Sequence, residues 1–390
     1  MSLVRVMRHF VAQMAYASIK AFVPVKKGRV FCESFGGLQY SCNPKYITEA
    51  ILEKYPNDFQ IIWSFQNPER IKELDETIIK VRKWSFKEFY YIATSEFIIS
   101  NIRVNNYGWG WKKRIGQKYI MTWHGSMALK RVEFDAEDKL PSSYTTQALK
   151  DSKNIDLMLS DSVWCTNFMR RAFKYDGEIL DKGLPRNDIF LQPDQITLVR
   201  NKVRKYFSLK DEEKVLLYAP TFRADKSIDN YIFNWDRIIS ALESRWPSTF
   251  KIIIRLHPNM MNTVDTSPMM TSRSCLDVTR YPDMQELLCA ADVLITDYSS
   301  SMFEFAIKKG PCFLFAPDAD SYDRGFYFRL DELPFPVSKD MNTLVEQICS
   351  FDALKYEVEL RHLFDKVFKY SQMPDSSSRI VKWMKVKRQE

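Results

Sequence analysis

The sequence predicts an α/β protein of two domains, each built on a mostly parallel β-sheet. Short apolar strands alternate with amphipathic helices along most of the chain, which is the pattern of strands joined by helical crossovers. The chain has 390 residues, more than one hydrophobic core usually organises. In such sheets ligands bind beyond the carboxyl ends of the strands, so the residues that follow each strand are the candidates for function.

The first 27 residues predict an amphipathic helix. A helical projection places these apolar side chains on one face: Leu3, Met7, Phe10, Val11, Met14 and Phe22. The polar side chains lie elsewhere on the helix: Arg5, Arg8, His9 and Lys20. This pattern is typical of a helix in the plane of a membrane surface, although a helix that docks on its own domain is an equally good interpretation. No apolar run has the length of a transmembrane helix, and no cleavage site indicates a signal peptide.

The first domain is predicted over residues 28–190. It begins with the strand Arg29–Ser34 and a glycine loop, and a helix follows that buries four apolar side chains: Ile47, Ala50, Ile51 and Leu52. Further strands are predicted in five segments: "FQIIWSF", "TIIKVRK", "EFIISN", "KYIMTW" and "IDLMLSDS". The last of these strands leads into a helix predicted from Val163 to Phe173.

The second domain is predicted over residues 191–390, after a stretch with two prolines and little periodicity, "KGLPRNDIFLQPDQ". Strands are predicted in "KVLLYAPTFR", "FKIIIRLHPN" and "DVLITDYSSS", and a helix over Trp235–Arg245. A basic helical tail ends the chain. Two Rossmann-like domains that face each other across a cleft predict the GT-B architecture, which many nucleotide-sugar transferases share.

The composition predicts an anionic partner. Lys and Arg number 57 against 49 Asp and Glu, a formal net charge of +8. Nucleic acid is not expected, because there is no zinc-finger spacing or RNP motif and the cations are spread along the chain. Seven scattered cysteines without a CxxC pair are typical of a reduced, cytosolic setting.

Several catalytic signatures are absent from the sequence. There is no GxGxxG, GxxxxGK[ST] or GxSxG motif, which argues against a dinucleotide fold, a P-loop and a nucleophile elbow. The pattern DxD occurs at Asp318–Asp320, but it follows a strand near the end of the chain, so we do not expect it to hold a metal-diphosphate. We therefore expect metal-independent chemistry without a cofactor.

Three serines after a strand predict an anion site. The strand Val293–Thr296 delivers Ser299 and Ser300 to the start of a helix. Exposed amide groups, the helix dipole and hydroxyl donors favour an anion at such a point. Ser301 with Glu304 has the spacing of a capping box, although Ser300 is an equally good cap. Plain capping without a ligand is the alternative interpretation.

Two of the four histidines follow strands, one in each predicted domain. Arg255 and His257 end the strand in "FKIIIRLHPN", where they can neutralise a diphosphate or protonate a leaving group. His124 follows the strand Tyr119–Trp123 and precedes Gly125, a position that suits a general base. A single histidine at a strand end is more often structural, so it is the pair that favours catalysis.

Seven motifs occur in a fixed order along the chain: "FCESFGGLQYSCNPKYI", "TWHGS", "GLPRND", "YAPTFR", "RLHP", "TDYSSSMFEFA" and "RGFYF". Together they resemble the CDP-glycerol glycerophosphotransferases, the teichoic acid primases and polymerases of Gram-positive cell walls. The resemblance implies a GT-B fold with a monotopic membrane-binding element at the cytoplasmic face of the cell membrane. The implied reaction moves polyol phosphate from a CDP-alditol to a hydroxyl of a lipid-linked saccharide or polyol-phosphate acceptor and releases CMP. An anionic membrane surface and a second copy of the chain are further partners to consider.

The resemblance also implies roles for individual residues. His124 resembles the catalytic base, and His257 is the second catalytic position. The positions implied for substrate binding are Gly125, Ser126, Met127, Ala128, Arg186, Pro220, Thr221, Arg255, Leu256, Ser299, Ser300 and Glu304. Among them, Ser299 and Ser300 resemble a diphosphate-binding pair. The sequence departs from the family pattern at "HGSMALK", usually "HGTPLK", and at Glu304, usually Asp.

Two other functions stay open at the level of sequence. A GT-B enzyme that transfers a sugar from a nucleotide-sugar has the same fold, and release of CMP would discriminate against it. A catalytically inactive membrane-surface adaptor is the second alternative, and the intact histidines and serines argue against it. The sequence does not distinguish glycerol from ribitol, or a primase from a polymerase or capsule enzyme, although the lack of a large additional N-terminal domain favours few additions.

Overall fold

The computed structural model describes residues 3–72, 74–104, 111–125, 127–221, 233–256, 265–319 and 325–389. The chain forms two compact units. Unit 1 comprises Met1–Ser126, Glu133–Asp188 and Tyr370–Glu390, and unit 2 comprises Met127–Val132 and Ile189–Lys369. Each unit has its own parallel β-sheet, so the predicted α/β class is confirmed.

Unit 1 contains a seven-stranded sheet with the order β3-β2-β1-β4-β5-β6-β7. Its strands are β1 (Lys26–Glu33), β2 (Gln60–Phe65), β3 (Ile79–Arg82), β4 (Ser95–Ser100), β5 (Lys118–Met121), β6 (Leu157–Leu159) and β7 (Glu178–Leu180). The helices in this part of the chain are α1 (Leu3–Phe22), α2 (Cys42–Lys54), α3 (Phe86–Thr94), α4 (Ser142–Ser152) and α5 (Val163–Ala172). Trp63, Phe97 and Leu157 are fully buried in its core. Burial on both faces of a parallel sheet explains why these strands are nearly continuous apolar runs.

Unit 2 contains a six-stranded sheet with the order β10-β9-β8-β11-β12-β13. Its strands are β8 (Lys214–Ala219), β9 (Phe250–Ile254), β10 (Cys275–Asp277), β11 (Val293–Thr296), β12 (Cys312–Phe315) and β13 (Val337–Ser338). Its helices are α6 (Pro193–Tyr206), α7 (Trp235–Arg245), α8 (Met284–Ala290), α9 (Ser301–Ile307), α10 (Met341–Cys349) and α11 (Ala353–His362). The paired strands of both sheets run parallel, as the alternation of strands and helices predicts.

Each strand order contains a switch point, where the chain leaves two neighbouring strands in opposite directions. The switch point lies between β1 and β4 in unit 1 and between β8 and β11 in unit 2. Loops diverge beyond the carboxyl ends of such strands and leave a crevice for a ligand. The crevice of unit 1 therefore lies beside the loops after β1 and β4, and that of unit 2 beside the loops after β8 and β11.

The C-terminal helix, α12 (Ser376–Lys387), differs from the predicted division of the chain. It belongs to unit 1, where Ile380, Val381 and Met384 are buried in the core, although the sequence assigned all of residues 191–390 to the second domain. The segment Met127–Val132 is the converse case, because it belongs to unit 2. Periodicity identifies a helix from its own residues, but it carries no information on which sheet the apolar face will cover.

Helix α1 packs on unit 1, and it does so with a different face from the apolar one that the sequence predicts. Ala12, Tyr16 and Ile19 are buried, and the Tyr16 hydroxyl donates to the carbonyl oxygen of Lys112 at 2.7 Å. The opposite face exposes large apolar side chains: Met7, Phe10, Val11, Met14 and Phe22. Three side chains of the predicted faces lie outside the described ones: Leu3, Arg5 and Arg8. Among the helices described, none has the length and apolar character needed to cross a membrane.

Candidate functional site

His124 lies just beyond β5, at the carboxyl edge of the unit 1 sheet. Its Nδ1 is 2.9 Å from the carbonyl oxygen of Asn101, the residue that follows β4. A carbonyl oxygen only accepts, so in this contact Nδ1 carries the proton and Nε2 is the basic nitrogen of the neutral ring. The rings of Phe35 and Trp123 have centroids 5.6 and 4.1 Å from that of His124. A half-buried imidazole with a defined tautomer suits general-base chemistry.

Arg186 lies beside His124 within unit 1, in the 3₁₀ turn Pro185–Leu191. Its Nη1 donates to the carbonyl oxygen of His124 at 2.6 Å and lies 3.1 Å from the Cys42 Sγ. The side chain is buried. The structure therefore brings together two residues that the sequence predicts for the site, and the arginine binds the backbone of the histidine.

Two asparagines complete this group, and sequence reasoning did not identify them. The Asn101 Oδ1 accepts from the backbone N–H of Phe35 at 2.7 Å, so it joins the loop after β1 to the end of β4. The Asn43 Nδ2 donates to the carbonyl oxygens of Thr122 and Trp123. Both asparagines are fully buried. Asn101 carries a usable signal, because it is a polar residue directly after a strand, whereas Asn43 lies in the first turn of α2 and its signal is its place in the first of the seven motifs.

In unit 2, Thr221 and Asp297 bridge the switch point. The backbone N–H of Thr221 donates to the Asp297 Oδ1 at 2.9 Å, and its hydroxyl donates to Oδ2 at 3.0 Å. Both residues are buried, as is the preceding Pro220. The contact ties the end of β8 to the end of β11, and it therefore holds the start of the segment that carries the serines.

The serine turn (Ser299, Ser300 and Ser301) differs from the predicted capping box. Helix α9 begins at Ser301 with Ser300 as its N-cap, and the Ser300 side chain makes no capping hydrogen bond. The hydroxyls of Ser301 and Ser299 bond to each other at 2.9 Å, and Glu304 accepts from the Gln285 Nε2 at 2.7 Å. The capping-box prediction is wrong, because Glu304 is engaged by α8 instead of the helix start. Ser299 and Ser300 are both half-buried; the Ser300 hydroxyl makes no capping hydrogen bond, whereas the Ser299 hydroxyl accepts from the backbone N–H of Ser301 at 3.3 Å.

Two further predicted residues follow β9. Arg255 is buried and its Nη1 donates to the carbonyl oxygen of Tyr281. The backbone N–H of Leu256 donates to the Thr279 Oγ1 at 3.0 Å, and the Leu256 side chain is packed in the core. His257, the second predicted catalytic residue, lies outside the described residues. In the parts of the chain that the structure describes, no three His, Cys, Asp or Glu side chains are grouped to hold a metal ion.

The predicted loop after His124 divides between the two units. Gly125 is buried and belongs to unit 1, Met127 is buried and Ala128 half-buried in unit 2, and Ser126 lies outside the described residues. The chain therefore passes from one unit to the other within this loop.

Within unit 2, the segment after Ala128 pairs with the "RGFYF" motif. The backbone N–H of Tyr327 donates to the carbonyl oxygen of Leu129 at 2.8 Å, and that of Arg131 donates to the carbonyl oxygen of Gly325 at 3.1 Å. This pairing gives the last of the seven motifs a structural role, which is to hold the segment that follows the histidine loop.

Comparison with known proteins assigns the family. A model described as CDP-glycerol:poly(glycerophosphate) glycerophosphotransferase matches residues 15–385 of the chain. The chain belongs to the CDP-glycerol glycerophosphotransferase family. The predicted family and its enzyme class, a phosphotransferase, are thereby confirmed.

Relatives in this glycerophosphotransferase family support the assignment over most of the chain. The teichoic acid poly(glycerol phosphate) polymerase of Staphylococcus epidermidis is 33% identical over 88% of this chain, which spans about half (48%) of that protein's length. A polymerase of the same description from Bacillus spizizenii is 30% identical over 93% of each chain. The solved structure of the wall teichoic acid polymerase TagF is 30% identical, with a TM-score of 0.82 over 99% of this chain and 97% of that one.

Proposed function

We propose that this member of the glycerophosphotransferase family transfers glycerol phosphate from CDP-glycerol to a hydroxyl of a lipid-linked acceptor in the synthesis of teichoic acid or a related cell-surface polymer, with release of CMP. The observation that carries the proposal is the 2.9 Å contact between the His124 Nδ1 and the Asn101 carbonyl oxygen, which leaves Nε2 as the base. Relatives that are 30–33% identical are named for glycerol phosphate, whereas those named for ribitol phosphate are 25–27% identical, and this difference supports CDP-glycerol over CDP-ribitol as the donor.

In the proposed reaction, the Nε2 of His124 accepts the proton of the acceptor hydroxyl. The hydroxyl oxygen attacks the phosphorus that carries the glycerol, and a new P–O bond forms. The P–O bond to the bridging oxygen of the diphosphate breaks, and CMP leaves with that oxygen and its electron pair. General-base assistance of this kind contributes roughly 10²–10⁴ in rate.

The donor diphosphate is proposed to bind in unit 2, at the serine turn. Hydroxyls and backbone amides there are neutral donors of the kind that hold phosphate oxygens at strand ends. Thr221 and Asp297 hold the turn in place through the bonds described above. We propose Pro220, Arg255, Leu256 and Glu304 as further donor-side positions in unit 2, and His257 as the group that balances charge on the leaving phosphate. The two parallel α/β units support the GT-B architecture in which such enzymes work.

We propose further that α1 attaches the protein to the cytoplasmic surface of the membrane. Its exposed apolar face, the stripe Met7, Phe10, Val11 and Met14, is 54–62% exposed. Exposed cations follow on the same chain segment at Lys20, Lys26 and Lys27. Apolar side chains beside cations are the combination that anionic lipid surfaces bind. This attachment would keep the enzyme near a lipid-linked acceptor.

A donor panel tests the proposed reaction. The full-length protein is incubated with a lipid-linked saccharide acceptor and, in parallel, CDP-glycerol, CDP-ribitol or a UDP-sugar, and released nucleotide and product size are measured. We expect CMP and a glycerol phosphate product from CDP-glycerol alone. His124→Ala should lower this release by at least about 10²-fold in a folded protein.

Other outcomes decide against the proposal. Release of a nucleoside diphosphate from the UDP-sugar would indicate a sugar transferase, and a CMP signal restricted to CDP-ribitol would change the alditol. No turnover with any donor, together with vesicle binding, would indicate the membrane-surface adaptor.

A further inference from the structure

We propose that Asn43 is a positioning residue for His124. It belongs to the first of the seven motifs, "FCESFGGLQYSCNPKYI", to which the proposed reaction gives no task. Asn43 lies in the first turn of α2, is fully buried, and uses both ends of its carboxamide within unit 1. The proposal rests on the proposed function, because it assumes that His124 is the base.

The Asn43 carboxamide binds the backbone that leads into His124. Its Nδ2 donates to the carbonyl oxygens of Thr122 and Trp123 at 3.3 and 3.1 Å. Its Oδ1 accepts from the backbone N–H of Arg186 at 3.0 Å. Arg186 in turn donates to the carbonyl oxygen of His124 at 2.6 Å. Three consecutive carbonyl groups, those of residues 122–124, are therefore held by Asn43 and the arginine that it binds.

This backbone needs such support because its conformation is unfavourable. Trp123 has a φ of +53°, in the left-handed region that bulky residues rarely adopt. Cys42, directly before Asn43, has a φ of +63°. Conformations of this kind persist only where the surroundings hold them, and they are concentrated at functional sites. Each of the two strained residues is adjacent to a residue of the network: Cys42 precedes Asn43, and Trp123 precedes His124.

The left-handed turn at Trp123 determines where the imidazole points. With the turn in place, the Nδ1 of His124 reaches the Asn101 carbonyl, and this contact selects the tautomer with a basic Nε2. If Asn43 is removed, we expect the turn to relax to a negative φ, the Nδ1 contact to lengthen, and the ring to populate both tautomers. A displacement of about 1 Å in a catalytic group can lower the rate by about 10²-fold.

Two variants and one control test this role in the full-length protein. Asn43→Ala removes the donor and the acceptor, and Asn43→Asp keeps the size and the acceptor for Arg186 but loses the donor. Thr48→Val is the matched control, because Thr48 is equally buried in α2 and its hydroxyl bonds to Trp63 and Pro44, away from His124. The readouts are kcat and KM for CDP-glycerol, and the histidine ¹⁵N NMR signals, which are tractable with four histidines in the chain.

We expect both Asn43 variants to lower kcat by about 10²-fold while KM stays within about two-fold, and to move the His124 signals toward a mixed tautomer. Thr48→Val should lower stability without either change. Unchanged kcat and unchanged His124 signals in a folded Asn43→Ala protein would overturn the proposal, as would an equal effect of Thr48→Val. If His124→Ala keeps full turnover, the base assignment fails, and the NMR shift alone then decides whether Asn43 positions the ring.

Discussion

The carboxylate of Asp188 accepts a hydrogen bond from the hydroxyl of Ser376, 2.7 Å away, although 188 residues separate the two along the chain. The backbone N–H of Ser377 and the Gln372 Nε2 donate to the same carboxylate. Asp188 thus ties the start of α12 to the turn that carries Arg186. The C-terminal segment is in this way joined to the surroundings of His124, all within unit 1.

This buried carboxylate predicts a pH-dependent contribution to stability. Burial raises the pKa of Asp188 from 3.8 to about 6, although hydrogen bonds from Ser376 and Ser377 lower it. Between about pH 4 and 6 the folded protein therefore binds the proton more tightly than the unfolded chain, and the free energy of unfolding falls as pH rises through this window. The whole effect is at most about 3 kcal/mol.

The measurement compares wild type with Asp188→Asn by urea unfolding from pH 4.5 to 7.5. The stability advantage of wild type over the variant should shrink as pH rises. A difference that stays constant across this range, or grows, would contradict the raised pKa.

Replacing His124 by Ala should lower kcat by at least about 10²-fold, because the reaction loses its base. Far-UV circular dichroism and the urea midpoint should remain close to wild type, since the ring is half-buried and its Nδ1 bonds to a backbone carbonyl rather than to a side chain of the core. Turnover near the wild-type level in the folded variant would remove His124 from the mechanism.

Replacing Ser299 and Ser300 together by Ala should weaken CDP-glycerol binding with little loss of stability. Ser300 makes no capping hydrogen bond, and Ser299 accepts one bond of 3.3 Å from the Ser301 N–H, so the double variant should lose at most the cost of about 1 kcal/mol that a lost cap brings. Ser85→Ala is the matched control, because the Ser85 hydroxyl does cap α3 by accepting from the Glu88 N–H at 3.1 Å. Calorimetry should show weaker donor binding in the double variant and normal binding in the control. Normal donor binding in the double variant would show that the two serines have a structural role only.

Replacing Met7 and Phe10 by Ser should weaken binding to anionic vesicles, because both side chains are about 60% exposed on the outer face of α1. Salt should weaken attachment of the wild type without abolishing it, since apolar contacts are not screened. The control replaces Leu354 and Val358 by Ser, two exposed apolar residues of α11 in unit 2. If the two double variants lose vesicle flotation equally, or if neither loses it, α1 is not the membrane-binding surface.

Elements that depend on short-range pattern could be predicted from the amino-acid order alone. The strand Val293–Thr296 and the helix Trp235–Arg245 have the predicted limits, because apolar periodicity and neighbouring breakers act within a few residues. The parallel sheets and the placement of His124 and the serines beyond strand ends follow from the same pattern. The order of seven motifs then identified the family, which the comparison confirmed.

Features that depend on a partner distant in the chain become visible only in the folded protein. In the sequence, Asn43 is only a polar residue in a helix; in the structure its amide donates to carbonyl groups about 80 residues away along the chain. Glu304 has the spacing of a capping box, yet its carboxylate accepts a hydrogen bond from Gln285 on another helix. The apolar stripe of α1 was visible in the sequence, but only packing showed that Ala12, Tyr16 and Ile19 form the docked face instead. A local pattern records which side chains share a face, whereas the choice of partner is made by long-range packing and hydrogen bonding, which no local pattern contains.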